Sequence, residues 1–122
     1  MKFRIEKDSL GKKKIPKEAY FGIHTQRTIE NFQISGRTLH LELFHAIAEI
    51  KEAVAKTNLD LKLLRKHEAR AIIKAAQEAQ KGKFDNQFLV DIFQAGAGTS
   101  THMNVNEVIA NRAIEILHGK KG

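Results

Sequence analysis

Two segments with helical periodicity, joined by a short turn, constrain the fold of this 122-residue chain more than any other feature. In the first segment, Leu43, Ile47, Ile50 and Val54 recur at intervals of four, three and four residues. Charged residues occupy the other positions of the helical wheel, which is typical of an amphipathic helix. The pattern predicts a helix over 41–58.

A second helix is predicted over 65–81, with an alanine-rich face and Gly82 as its stop. Because only residues 60–64 separate the two segments, the helices are expected to be antiparallel neighbours. A third helix is predicted over 100–118 and is ended by Gly119. The inner stripe of this last helix consists of Val105, Val108, Ile109, Ala113 and Ile116.

The first part of the chain is predicted to be mixed. Residues 1–19 alternate in places and break at Gly11, which indicates a short hairpin or an extended arm. A short helix follows near 25–32. On its exposed face Arg27 and Glu30 are expected to pair at a spacing of three residues.

Segment 84–93 is too apolar to be left in water. It is predicted to be either a short buried helix begun by Asp85 or Asn86, or a buried extended run, and periodicity does not decide between them. The predicted fold class is therefore mainly α: a small helical domain with a short N-terminal extended arm or hairpin. Residues 1–122 are expected to form one domain, helical over 20–122.

A glycine- and hydroxyl-rich turn before the last helix is the clearest candidate binding site. Helix amino termini carry unpaired N–H groups and a partial positive charge, which suit a carboxylate or phosphate. Gly96 and Gly98 permit tight turns, while Thr99, Ser100 and Thr101 offer N-cap oxygens and hydroxyl donors. A Walker loop has a lysine directly after its last glycine, whereas Thr99 follows Gly98 here, so this is not a Walker loop. An ordinary capped helix is the alternative.

Composition excludes several other classes of function. The chain has 42% hydrophobic and 29% charged residues and no cysteine, which indicates a globular, soluble, cytoplasmic protein without disulfides or thiolate metal sites. No apolar run is long enough to span a membrane. His40 and His45 lie on different helical faces, and the sequence after His67 does not complete an HExxH motif, so no metal is expected.

The net charge of +7 raises the possibility of nucleic-acid binding. The basic residues do not form a stripe, however, and the only run of three lysines is at 12–14. With no tryptophan and one tyrosine there is little on which bases could stack. No nucleic-acid partner is expected, although a small basic helical nucleic-acid-binding module stays open as an alternative.

Several polar residues follow the glycine turn on one predicted helix, where asparagine is ordinarily unfavourable. These residues are Asn104, Asn106, Glu107 and Asn111. So many poor helix formers on one helix predict that their side chains are packed and make hydrogen bonds. Such roles are structural more often than catalytic.

Two stretches together resemble the aspartase/fumarase superfamily. Residues 96–113, GAGTSTHMNVNEVIANRA, resemble the first of its three signature regions, and residues 20–35, YFGIHTQRTIENFQIS, are similar to its amino-terminal segment. GAGTS is typical of aspartate ammonia-lyases, whereas class II fumarases usually have GSGT followed by Gln. Ala97 and Ser100 therefore favour the aspartase branch, and class II fumarate hydratase stays the alternative.

The resemblance implies that the chain is the amino-terminal domain of an enzyme converting L-aspartate to fumarate and ammonia without a cofactor. By motif position, Thr99 is implied to contact a substrate carboxylate through its hydroxyl and backbone N–H. Gly98 and Ser100 are implied to shape the same loop. Thr25, Arg27 and Asn31 are implied to be family positions near the active site, although the motif gives them no chemical role.

The resemblance also implies what these residues do not supply. His102 stands where Asn is commoner in the motif, which leaves an amide role at that position in doubt. The family's serine base lies in a loop that this sequence lacks, as do the central helical bundle and the carboxyl-terminal domain. No catalytic residue is therefore expected here. Family active sites combine three subunits of a homotetramer, so the chain alone is predicted to be inactive toward its dicarboxylate substrate.

Overall fold

A computed structural model describes residues 2–122; Met1, the first residue of the predicted arm, lies outside the described residues. The described chain begins with a β-hairpin and continues as four α-helices, which confirms the predicted mainly α class. The strands are β1 (Phe3–Asp8) and β2 (Gly11–Pro16). The helices are α1 (Ile23–Asn31), α2 (Leu41–Asp60), α3 (Lys66–Gln80) and α4 (Thr99–Ile116).

The hairpin alternates between an inner and an outer face. Arg4 and Ile15 are opposite each other on the inner face and are buried against the helices. The Arg4 guanidinium donates to the carbonyl oxygens of Ala19 at 2.7 Å and Phe21 at 2.8 Å. These bonds join the hairpin to the segment that leads into α1, which accounts for a stable hairpin in place of a free arm.

Ion pairs join α1 to the hairpin. The Arg27 guanidinium makes a bidentate contact with Asp8 at 2.7 and 2.8 Å, and Lys13 pairs with Glu30 at 2.5 Å. The predicted Arg27–Glu30 pair is therefore wrong. The inner face of the hairpin offers each of these side chains a partner of opposite charge, which helical spacing alone does not reveal.

The antiparallel pairing of α2 and α3 is confirmed by contacts along both helices. His45, near the start of α2, lies 2.7 Å from Asp85, just beyond the end of α3. Glu52 accepts hydrogen bonds from Gln77 at 2.9 Å and Gln80 at 2.6 Å. The close approach depends on small buried side chains of α3, namely Ala69, Ala71, Ala75, Ala76 and Ala79.

The apolar stripe of α2 lies mostly away from the core, although Ile47 packs against it. Leu43, Ile50 and Val54 are 46%, 58% and 47% exposed. The helix instead buries Phe44, whose ring stacks on that of Phe88 at a centroid distance of 4.6 Å. The helix is apolar on two sides, and the side that carries Phe44 and two alanines packs inward. The other buried residues of α2 are Ala48 and Ala55.

The apolar segment after α3 has a helical turn followed by an extended run, but its predicted burial is only partly right, because the turn has no buried residue and Phe93 is 53% exposed. A single 3-10 turn at Asp85–Gln87 leads into an extended run, and Asp91 forms an isolated bridge with Thr38. The Asp91 carboxylate accepts from the backbone N–H groups of Ser35 and Phe93, both at 2.8 Å. These N–H groups lower the pKa of Asp91 to about 2. The loop that precedes the glycine turn is thereby held in place.

Helix α4 keeps its predicted inner stripe but ends differently. Val105, Val108, Ile109 and Ala113 are buried, and Ile116 packs at the edge of the core. Gly119 is not the left-handed residue that ends the helix. That position is His118, with φ of 60°, and the Gly119 N–H donates to the Ile114 carbonyl at 2.8 Å. Within residues 2–122, no helix has the length and apolar character needed to cross a membrane.

Candidate functional site

The glycine turn places a left-handed residue directly before α4. Gly98 has φ of 77° and ψ of 11°, and its carbonyl accepts the first helical hydrogen bond, from the N–H of His102 at 3.1 Å. The N–H groups of Thr99, Ser100 and Thr101 have no acceptor among residues 2–122. They belong to the positive end of the helix dipole. The turn can therefore donate to an anion.

The three hydroxyl groups of this turn have different roles. The predicted N-cap hydrogen bonds from these side chains are wrong, because Gly98 is the N-cap and no side chain caps the helix. The buried Ser100 hydroxyl lies 3.3 Å from the Thr28 hydroxyl, and the Thr101 hydroxyl donates to Gln94 at 3.1 Å. Thr99 is exposed. Within the described residues, Thr99 is the position where both the N–H and the hydroxyl are free for a ligand.

Alanine at Gly98 is expected to lower the free energy of unfolding by about 1 kcal/mol, because an L-residue is strained at this positive φ. The matched control is Gly96→Ala, which adds a Cβ in open space without a positive φ. That control should change stability by less than about 0.5 kcal/mol. Urea denaturation of both variants measures the difference. Equal effects would show that the left-handed turn contributes nothing.

A basic cluster lies one turn beyond Thr99. His102 Nε2 is 2.5 Å from Lys51 Nζ of α2, and His102 Nδ1 is 3.3 Å from Asn106 Nδ2. Burial lowers the pKa of Lys51 from its ordinary value. Lys51 and Asn106 also line an apolar cleft between α2, α3 and α4. The cluster adds positive charge on the same helix end that presents the free N–H groups.

The asparagines of α4 hold it against the rest of the fold. Asn104 is fully buried; its Oδ1 accepts from the Leu89 N–H at 3.0 Å and its Nδ2 donates to the Gln87 carbonyl at 2.9 Å. Asn111 donates to the Tyr20 carbonyl at 2.8 Å. The prediction of structural hydrogen-bonding roles is confirmed for these two residues.

A buried carboxyl group lies between α1 and α4. Glu107 Oε1 accepts from the Thr25 N–H at 3.0 Å, while no donor within residues 2–122 reaches Oε2. Burial raises the pKa of Glu107 to about 7, and the nearby Glu6 carboxylate adds to the increase, partly offset by the Thr25 N–H. A Cβ on Gly22 would lie 2.2 Å from Glu107 Oε2, so the carboxyl is packed closely against the backbone.

Comparison with known proteins identifies the family. A family model described as lyase matches residues 11–121. The chain belongs to this lyase family.

Relatives of this chain include members of two enzyme classes. It is 50% identical over 120 residues to an aspartate ammonia-lyase from Bacillus subtilis, covering 98% of this chain and 25% of that protein. It is 52% identical over 119 residues to a class II fumarate hydratase from Wigglesworthia glossinidia brevipalpis, covering 98% of this chain and 26% of that protein. The chain thus spans about a quarter of the length of these relatives, and similarity does not separate the two classes.

Solved structures show the same fold. The native form of a fumarate lyase:delta crystallin from Brucella melitensis superimposes with a TM-score of 0.95 at 46% identity, covering 99% of this chain and 29% of that chain. A class II fumarase from Schistosoma mansoni gives 0.94 at 41% identity, covering 99% and 26%. The resemblance to the aspartase/fumarase superfamily, in its amino-terminal part, is confirmed.

Of the lyase-family positions named from the sequence, the structure brings only some to the turn. Gly98, Thr99 and Ser100 form it, whereas the Arg27 side chain points to the hairpin and the Thr25 side chain is buried. The sixth position, Asn31, is exposed at the end of α1. Sequence reasoning missed two contacting residues, Thr28 and Lys51, because nothing in the sequence indicates which residues of α1 and α2 face a turn so far along the chain.

Metal ligands do not converge within the part of the chain that the structure describes. Among residues 2–122, no group of three or more His, Cys, Asp or Glu side chains could hold a metal ion. The expectation that this protein needs no metal or other cofactor stays a prediction.

Proposed function

We propose that residues 1–122 are the amino-terminal domain of an aspartate ammonia-lyase and contribute a carboxylate-binding wall to its active site. The observation that carries the proposal is the start of α4, where the N–H groups of Thr99, Ser100 and Thr101 lack protein acceptors and the Thr99 side chain is exposed. Thr99 would contact the substrate carboxylate, and Gly98 and Ser100 would shape the loop.

The proposed reaction explains why such a wall is useful. A base supplied outside these residues removes a proton from the carbon beside the side-chain carboxylate of L-aspartate. The electrons left on that carbon spread onto the carboxylate, which gains a second negative charge. They then form the double bond of fumarate as the C–N bond breaks and ammonia leaves. Fixed N–H donors and a helix dipole stabilise the doubly charged intermediate more than the substrate, which is the condition for catalysis.

Ala97 and Ser100 support the aspartase branch over class II fumarate hydratase, the second candidate. The buried Ser100 is 4% exposed beside Thr28, a space suited to a small side chain. Fumarate hydratase would use a related proton removal with water in place of ammonia. Because relatives of both classes match at about 50% identity, the substrate has to be tested directly.

The test uses an intact polypeptide that contains this domain, assayed by fumarate absorbance with aspartate and with malate. We expect fumarate from aspartate and little from malate. Thr99→Ala should lower kcat/KM by roughly tenfold to a hundredfold, Thr99→Ser should retain most activity, and the exposed Thr57→Ala is the control. Faster turnover of malate would favour the hydratase, and a normal Thr99→Ala enzyme would remove Thr99 from the site.

The chain of 122 residues is proposed to be inactive alone, because the base and most substrate contacts would come from elsewhere in a cytoplasmic homotetramer. Fumarate formation by the purified chain would contradict this. From a different class, the basic nucleic-acid-binding module would instead give a salt-sensitive gel shift at low micromolar protein.

A further inference from the structure

The two faces of the hairpin differ sharply in charge. Both of its carboxylates lie on the inner face: Glu6 accepts from the Ile23 N–H at 2.8 Å, and Asp8 pairs with Arg27. Both carboxylates are thus paired with groups of α1. The outer face carries no carboxylate at all. The alternation of the strands has separated the acidic residues from the unpaired basic ones.

The outer face of the hairpin is both basic and apolar. Across it, Phe3 is opposite Pro16, Ile5 is opposite Lys14, and Lys7 is opposite Lys12. The three lysines are exposed and make no salt bridge within residues 2–122. Phe3 and Ile5 are 49% and 58% exposed, and they border a cleft that is also lined by Lys2, Lys17 and Lys120.

The geometry points to a docking surface for an acidic polypeptide segment that also carries apolar side chains. Charge complementarity supports this occupant: the lysines have no anionic partner in the fold, and Phe3 and Ile5 offer apolar area between them. From Phe3 to Lys7 the face extends about 13 Å, which matches about five residues of extended chain. Alternating acidic and apolar side chains fit the alternation of this face. The inference is independent of the proposed lyase function.

Two other polyanions fit this face less well. Nucleic-acid contacts favour arginine and stacking aromatics, whereas Arg4 and Arg27 are engaged on the inner side and Phe3 is the one aromatic of the outer face. A membrane-inserting hairpin would carry its apolar residues at the tip. Here Leu10 is at the turn, but Phe3 and Ile5 lie at the opposite end of the strand.

The experiment measures fluorescence anisotropy of a labelled peptide of about eight residues that alternates glutamate and valine. We expect a micromolar dissociation constant that weakens with salt. Glutamine in place of glutamate, or serine in place of valine, should each weaken binding by roughly tenfold. In the wild-type chain, amide NMR shifts on peptide addition should concentrate in β1 and β2.

Matched variants separate the docking surface from general charge. The triple variant Lys7→Gln, Lys12→Gln, Lys14→Gln should bind roughly tenfold more weakly. The control changes three exposed lysines of the α3 region, Lys66→Gln, Lys74→Gln and Lys81→Gln, and should bind as the wild type does. Phe3→Thr with Ile5→Thr should also weaken binding.

Several results would overturn the inference. Equal losses in both lysine triples, or NMR shifts spread over the helices, would mean nonspecific attraction. Tighter binding to phosphatidylserine vesicles, or to a DNA duplex, through the same three lysines would assign the surface to lipid or to nucleic acid. If the triple variant fails to fold, the wild-type NMR shifts and the peptide controls decide.

Discussion

Alanine in place of Asn104 is expected to lower the free energy of unfolding by about 4 kcal/mol. The side chain is fully buried and serves the Leu89 N–H and the Gln87 carbonyl at the same time. Its removal leaves a backbone N–H and a backbone carbonyl without their partners and opens a small cavity at a fully buried position. Urea denaturation, monitored by the helical circular-dichroism signal, measures the change.

Asn106→Ala is the matched control, because it makes the same chemical change on the same helix. Asn106 is only half-buried and contacts His102 at 3.3 Å and the Met103 sulfur at 3.5 Å. Both substitutions gain the same helix propensity, so the difference between them isolates the buried hydrogen bonds. The control should change stability by less than about 1 kcal/mol. Equal losses at Asn104 and Asn106 would refute the assigned role of Asn104.

The second large effect is a loss of stability as pH rises, caused by Glu107. Its pKa in the fold is about 7, against an ordinary value of 4.5, so the folded chain holds a proton that the unfolded chain has already released. Stability therefore falls as pH rises from the ordinary pKa of 4.5 to the pKa in the fold, about 7. The loss is complete above pH of about 7 and amounts to about 3 kcal/mol.

Glu107→Gln tests this assignment, because the amide keeps the acceptor for the Thr25 N–H but has no proton to lose. Urea denaturation of both proteins at pH of about 5 and about 8 should give similar stabilities at the lower pH. At the higher pH the variant should be more stable by about 3 kcal/mol. Parallel pH profiles for the two proteins would show that Glu107 is ionised throughout and that burial does not control it.

These two residues matter to the proposed function because both lie on the helix that starts at Thr99. Asn104 attaches α4 to the extended segment before the glycine turn, and Glu107 attaches it to the start of α1. The Thr28–Ser100 contact adds a third connection at the turn itself. The direction of the free N–H groups is therefore set by packing throughout the first half of α4.

The location of the candidate site could be predicted from residues 96–101, since glycines and hydroxyls before a helical pattern indicate an anion-binding turn. The same residues did not show which hydroxyl is available. Ser100 and Thr101 turn inward to Thr28 and Gln94, and only Thr99 stays exposed. Such choices depend on what lies beside each side chain, and the neighbours come from distant parts of the sequence.

The sequence by itself determined the mainly α class, the antiparallel helix pair and the family, because each depends on local spacing or on contiguous motifs. It left a hairpin and an extended arm both open for residues 1–19. Tertiary structure alone decided which side of α2 is buried, that Arg27 pairs with Asp8 and that Lys51 lies beside His102. The physical reason is that helical periodicity states which residues share a face, whereas the partner of that face is selected by packing and charge across the whole fold.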